Sequence, residues 1–229
     1  MLIKSFPAGP WQTNCYVIAS EIGAECLIID PGYGSMTQMK DMVEQNKLNP
    51  VAILVTHGHL DHMWSVFPIA KGYDIPAVIH GEDRFLLSDP LAGVSEQTLA
   101  AMPMLIESGD VFAEPSEVIE VSDSAKLEIA GLNFTVHHAP GHTAGSVLFE
   151  FPGDQRNVFT GDVLFAGAIG RTDLPGGSPD AMNSSLRNVI LPLPDDSQIF
   201  PGHGPASTMT IERATNPYLR RIAQGLKAT

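Results

Sequence analysis

The run Val51-Ala-Ile-Leu-Val55 is wholly apolar, and it passes directly into Thr56-His57-Gly58-His59-Leu60-Asp61-His62. An apolar run this short reads as a strand buried on both faces, so the fold must cover a sheet from two sides. Donors crowded at its C-terminal end then belong at the edge of that sheet, where the chain turns out of the core. Imidazoles two residues apart on a turning loop converge, and an Asp and a third His follow where a helix begins. Four nitrogen and oxygen donors within six residues exceed the needs of one tetrahedral ion once more distant ligands join.

Three further donors recur in similar settings. They are His142 in Pro140-Gly-His-Thr-Ala-Gly145, Asp162 in Phe159-Thr-Gly-Asp-Val163, and His203 in Phe200-Pro-Gly-His-Gly-Pro205. Each follows a glycine, which lets the backbone turn without a Cβ penalty. Asp162 and His203 come just after apolar strand runs. Together with the first cluster they make five histidines and two aspartates, enough for two adjacent ions, and Asp162 has two oxygens with which to bridge them.

The rest of the chain supports a layered α/β protein. Strand signals fall at Asn14–Ala19, Cys26–Asp30, Ala77–His80, Leu127–Ala130, Asn133–His138, Gly145–Phe151, Asn157–Thr160 and Gln198–Phe200, with Pro152-Gly153-Asp154 as a hairpin turn. Ser35-Met-Thr-Gln38 has the form of a capping box and opens a helix to about Lys47. Met36, Met39, Met42 and Val43 share one face of it and read as core. Further helices are expected from about Asp61 to Lys71, ending at Gly72, from Pro179 to Ile190, and over Met209–Gly225. Residues 81–117 read as short helices and loop bordering the site. The order, strands then helices, twice over, points to two βα halves packed as a sandwich covered by helices.

Composition excludes several classes. The net charge of −13 in 229 residues, at 17 % charged residues, argues against a nucleic-acid partner and against docking on anionic membranes. No apolar run approaches the ~20 residues of a membrane span. The opening residues lack the apolar core of an export signal, and the two cysteines, Cys15 and Cys26, read as reduced and buried, so a cytoplasmic protein is expected. Oligomeric state is not readable from these features.

The ordered set Asp30, His57-x-His59-x-Asp61-His62, His142, Asp162 and His203 resembles the five-motif signature of the metallo-β-lactamase fold, over residues 30–203. The resemblance implies a four-layer αββα sandwich, one domain over residues 1–229, with a dinuclear site at the edge of the two sheets. It implies two divalent ions, zinc first, with iron or manganese as other candidates. His57, His59 and His142 would hold one, Asp61, His62 and His203 the other, with Asp162 shared. Asp30 would support the metal loop, or serve as a turn cap before Pro31-Gly32. His80, His137 and His138 match no ligand motif and read as polar or packing histidines. Thr143 would orient a ligand or cap its turn.

Within the superfamily, Thr56–His62, Pro140–Gly145 and Gly161-Asp-Val-Leu-Phe165 resemble glyoxalase II-like thioesterases. Gly170-Arg-Thr-Asp-Leu-Pro-Gly-Gly177 and Pro201-Gly-His-Gly-Pro205 resemble their short bacterial members. The common zinc β-lactamases carry Cys where this chain has Asp162 and are exported, so antibiotic hydrolysis is not expected. The resemblance implies hydrolysis of S-2-hydroxyacyl thioesters, small molecules such as S-lactoylglutathione, by a metal-bridging hydroxide that Asp61 orients and deprotonates. Only 26 residues follow His203, so the C-terminal helical domain that helps bind glutathione in full-length enzymes is not expected. Asp173 and Pro205 stand where those enzymes have tyrosines. Arg171 would receive a substrate carboxylate, or pair with Asp173 and shape the loop. The alternative activity is that of an iron persulfide dioxygenase of the same superfamily, which uses one ion on His57, His142 and Asp162.

Overall fold

The computed structural model describes residues 1–106, 110–153 and 155–228. Two six-stranded sheets form its centre. The first contains β1 (Leu2–Ala8), β2 (Thr13–Ala19), β3 (Glu25–Ile29), β4 (Asn49–Leu54), β5 (Ala77–His80) and β6 (Val118–Val121), in that spatial order. β1 to β3 are antiparallel, and β3 to β6 are parallel. The second runs from β7 (Lys126–Ile129) through β8 (Leu132–His138), β9 (Val147–Phe151) and β10 (Asn157–Gly161). A two-stranded ribbon, β11 (Leu164–Phe165) and β12 (Ala168–Ile169), intervenes before β13 (Gln198–Pro201) joins β10 in parallel and β14 (Ser207–Thr208) closes the edge.

Period-two alternation divides each strand between two apolar environments. On β2, Tyr16 and Ile18 face the second sheet, where they meet Phe149 and Phe159 in a shared core. Cys15, Val17 and Ala19 face the opposite way and pack under the helices α1 (Met36–Gln45) and, beyond a short α2 (Leu60–Met63), α3 (Val66–Tyr73). The second sheet does the same with Leu148, Val158 and Ile199, which pack under α5 (Pro179–Ser185), the turn after it, and α7 (Pro217–Ala223). The helices α4 (Glu96–Ala101) and α6 (Met209–Thr215) complete the set. Both faces of both sheets are covered, and the architecture is the expected αββα sandwich.

Several local expectations are corrected. Ser35 precedes α1, but its hydroxyl makes no cap bond and is buried with no partner among the described residues. The Asp61–Lys71 helix is two helices, because Ser65 leaves the helical ladder. Its N–H donates to the Pro31 carbonyl (2.9 Å) and its hydroxyl to the Gly32 carbonyl (2.8 Å). α3 then runs on past Gly72 to Asp74, whose left-handed backbone (φ 55°) ends it. After α5 the chain widens by one residue, with Leu191 N–H bonded to the Leu186 carbonyl (2.9 Å). β1, β6 and β14 carry no strand signal that the sequence reading used. The methionine face of α1 is core as expected, with Met39 and Val43 buried and Met36 and Met42 packed against them. The β9–β10 hairpin is present, while Asp154 of its turn lies outside the described residues, as do 107–109 of the irregular segment. Among the described residues no helix is long and apolar enough to cross a membrane.

Candidate metal centre

Every metal donor singled out in the sequence sits beyond the C-terminal end of a strand, at one edge of the sandwich. β4 delivers His57 to His62, β8 leads to His142, β10 to Asp162, and β13 to His203. Backbone bonds tie the two sheets together at this edge. Val147 N–H donates to the Thr56 carbonyl (2.9 Å) and Asn14 N–H to the Gly202 carbonyl (2.7 Å), while Gly202 N–H to the Gly161 carbonyl (2.8 Å) joins two loops of the second sheet. The loops that carry the donors are thereby held in register.

The side chains converge into three overlapping groups whose donor atoms lie within 4.8 Å of one another: His57, His59 and His142; His57, His62 and Asp162; and Asp61, His62 and His203. Asp162 touches both halves of the cluster. Its Oδ2 is 3.5 Å from both His142 Nε2 and His203 Nε2, and its Oδ1 is 3.3 Å from His62 Nε2.

Outer partners set the imidazole tautomers. His142 Nδ1 donates to the Arg171 carbonyl (2.8 Å), His203 Nδ1 to the Trp11 carbonyl (3.1 Å), and His62 Nδ1 to Asp30 Oδ2 (2.9 Å). Thr56 Oγ1 donates its one proton to Asp30 Oδ2 (2.6 Å), so at 3.1 Å it must accept from His57 Nδ1. In each ring the inward Nε2 is left to face the cluster, the arrangement that orients metal-ligating histidines. His59 is turned the other way, with Nδ1 2.8 Å from His142 Nε2 and its far edge against Gly93. Asp30 supports the loop, as the sequence suggested, through Thr56 and His62 rather than as a donor in the cluster.

The fit to cations rests on atoms with nothing to bond. Among the described residues, His57 Nε2 and Asp162 Oδ1, both buried in the cluster, have no hydrogen-bond partner, and neither has His59 Nε2. Buried polar atoms of this kind are costly and call for a missing partner. Charge is polarised across the cluster. Burial, with His62 and His142 nearby, pushes His57 well below the usual imidazole range, and burial reinforced by His142 takes His59 down to about 3. Burial also opposes charge on His62, but Asp162, Asp61 and Asp30 outweigh it and raise its pKa. His203 is similarly lifted against burial, to about 9, by its bonds to Asp162 and Asp61. Burial works against the two carboxylates as well, yet His62 and His203 hold Asp61 at about 2 and Asp162 well below the usual range. Neutral nitrogens on one side and anionic oxygens throughout suit divalent cations.

A cleft of about 210 Å³ opens onto the cluster, walled by Trp11, Leu60, Val94, Thr98, Arg171 and Leu174 among others. Arg171 is exposed and makes a two-pronged pair with Asp173, both N–O distances being 2.7 Å. The loop-shaping alternative is therefore present in the structure, and it is the Arg171 carbonyl, not the guanidinium, that meets His142. His80 stacks on His138 (4.1 Å between ring centres), and His137 pairs with Glu150 (2.8 Å), so all three stay outside the cluster as expected. Thr143 donates to Asp83 Oδ2 (2.7 Å) and bonds Ser146 (2.7 Å). The sequence reading passed over Asp83, Thr13 and Trp11. Only Asp83 carried a signal, as an acid in the turn straight after a strand.

A family model, that of the metallo-beta-lactamase superfamily, matches residues 8–203. The chain belongs to the metallo-β-lactamase superfamily. Among its superfamily relatives, an uncharacterized protein of Mycobacterium leprae is 43 % identical over 97 % of this chain and 100 % of its own. The Haemophilus influenzae hydroxyacylglutathione hydrolase GloC is 35 % identical over 96 % of this chain and 98 % of its own. Of solved superfamily structures, the B3 metallo-β-lactamase BLEG-1 superposes with a TM-score of 0.84 at 35 % identity, covering 95 % of this chain and 99 % of that one. TTHA1623 in a di-iron-bound form gives 0.76 at 35 % identity, covering 95 % and 100 %. ETHE1 from Myxococcus xanthus gives 0.76 at 24 % identity over 98 % of this chain and 85 % of that one, a likeness of fold alone.

Proposed function

We propose that this chain is a metal-dependent hydrolase of thioesters, of the glyoxalase II type, acting on S-2-hydroxyacyl conjugates such as S-lactoylglutathione. The observation that carries the reading is the pair of donor groups joined by Asp162, with buried unpartnered atoms facing inward below an open cleft. His57, His59 and His142 would hold one cation and Asp61, His62 and His203 a second, with Asp162 between them. Zinc is the first candidate, and the name of the di-iron relative supports iron as the next. When bound, such cations polarise a carbonyl and make water acidic near neutral pH.

The chain's own residues supply the rest. Asp61 is 20 % exposed, and Thr13 Oγ1 donates to its Oδ2 at 2.9 Å. Asp61 would orient the attacking water and take its proton. Arg171, in the cleft wall and 58 % exposed, would exchange Asp173 for a substrate carboxylate, since a guanidinium takes either in the same two-pronged geometry. A departing thiolate, with a pKa near ~8.5, needs little acid assistance, and among the described residues the cleft lining offers no separate acid for it. The relative named a hydroxyacylglutathione hydrolase supports this substrate class over nearly the whole chain, while the relative named a β-lactamase makes β-lactams the comparison to run.

Metal analysis of protein purified without added metal, with activity assays beside it, tests the reading. About two zinc, iron or manganese ions per chain with hydrolysis of S-lactoylglutathione is the expected result. One iron per chain with oxygen uptake on glutathione persulfide and no thioester cleavage would establish the dioxygenase instead. Cleavage of a chromogenic cephalosporin without thioester cleavage would move the chain to the β-lactamases. His59→Ala should remove one ion and most of the hydrolysis.

A further inference from the structure

The three histidines of the first donor group come from two loops that belong to different sheets. His57 and His59 follow β4 of the first sheet, and His142 precedes β9 of the second. One buried carboxylate bonds both loops. Asp83, 1 % exposed in the turn after β5, accepts from Gly58 N–H at Oδ2 (2.8 Å), between the two first-loop histidines. It also accepts from Thr143 Oγ1 at Oδ2 (2.7 Å) and from Gly145 N–H at Oδ1 (2.7 Å), on the second loop.

The contact is close on both sides. A Cβ on Gly145 would lie 2.6 Å from Asp83 Cγ, and one on Gly58 would lie 3.0 Å from the Asp83 carbonyl and 2.6 Å from Leu86. The second donor group is anchored elsewhere: His62 by Asp30, His203 by the Trp11 carbonyl, and Asp61 by Thr13. Asp83 does not line the cleft and touches none of the donor atoms.

We propose that Asp83 is a positioning residue for the His57, His59 and His142 group alone, setting the separation of its two loops and hence the affinity of the cation held there. The proposal rests on the reading of this cluster as a metal centre. Asp83→Asn keeps the volume but removes the charge, and it turns an NH2 group either against Gly145 N–H or against the Gly58 N–H and Thr143 hydroxyl. Thr143→Val removes one of the three bonds and leaves the carboxylate.

Cobalt(II) titration of the metal-free full chain, followed by visible absorption, separates the two donor groups by affinity and spectrum. In Asp83→Asn the affinity of one equivalent should fall about 10- to 100-fold, the range for partners that orient metal ligands, while the other equivalent keeps its affinity and spectrum. Thr143→Val should weaken the same equivalent by a smaller factor, and it decides the matter if Asp83→Asn does not fold. If the wild type binds a single ion, that ion's affinity is the one that must fall. Two unchanged affinities, or an equal loss from both equivalents, would overturn the role of Asp83. A wild-type chain that binds no cobalt would overturn the metal-centre reading itself.

Discussion

Gly202 gives the sharpest test of the cluster's geometry, because a single added methyl reaches it while every donor residue is kept. The residue lies between the end of β13 and His203, and its backbone is fixed from both sides, N–H to Gly161 (2.8 Å) and carbonyl to Asn14 (2.7 Å). A Cβ there would stand 2.5 Å from His62 Cε1, and closer still to Asp162 Oδ1. Carbon atoms settle at about 3.5–4.0 Å, so the His62 ring must retreat by roughly 1 Å. It has nowhere to go, being 0 % exposed and held at Nδ1 by Asp30. Overpacking of this kind costs about 1–3 kcal/mol, or a fall in Tm of roughly 2–12 °C at ~2–4 °C per kcal/mol for a chain of this size. Metal–ligand distances tolerate only about 0.2 Å, so His62 and Asp162 should both lose their cation. A misplacement near 1 Å costs hydrolysis about 10²-fold, equivalent to ~2.7 kcal/mol of barrier. Gly202→Ala should therefore fold, melt earlier, retain less metal per chain by elemental analysis and, under the proposed function, hydrolyse S-lactoylglutathione about a hundredfold more slowly. Full metal content with turnover within a factor of two of wild type would refute the reasoning, because the methyl would then have found room that the cluster geometry denies it.

Chelation and thiol chemistry give two further outcomes. An ion present at 1,000 times its Kd stabilises the folded chain by about 4 kcal/mol, so excess EDTA should lower Tm by roughly 8–16 °C. Far-ultraviolet circular dichroism should stay unchanged, since both sheets bury their cores independently of the site, and an unmoved melt would count against a bound metal. Cys15 and Cys26 are both 0 % exposed. Burial, aided by Asp30, pushes the Cys15 thiol far up, and burial alone takes Cys26 up to about 12. Both thiols therefore stay protonated at pH 8 in the folded state and should ignore DTNB, reacting as two equivalents once guanidinium unfolds the chain and their pKa falls back towards ~8.5. Rapid labelling of the native chain would refute this burial.

The layers of the fold were legible because hydrophobic period and turn residues are local signals. The Val51–Val55 run required cover on two faces, and the histidine and aspartate motifs followed their strands closely enough to be placed at one edge. Where local pattern met tertiary packing, it failed. Ser35 has the sequence of a cap and makes no cap bond, and one expected helix breaks at Ser65 because Pro31 and Gly32 capture it. β1 was passed over because its pattern is half exposed, and its strand identity comes from pairing with β2 along seven residues.

By itself the sequence determined which side chains supply the chemistry, since donor type and position relative to a strand end are properties of the chain. Only the tertiary structure decided which nitrogen of each ring faces inward, and that Asp30 bonds Thr56 and His62 while Asp83 bonds Gly58, Thr143 and Gly145. His57 and His142 are far apart along the chain and on different sheets, and they meet in one donor group. That meeting depends on how two sheets pack and on single hydrogen bonds between loops. A pattern of periodicity reports that a face is buried, but not what it is buried against.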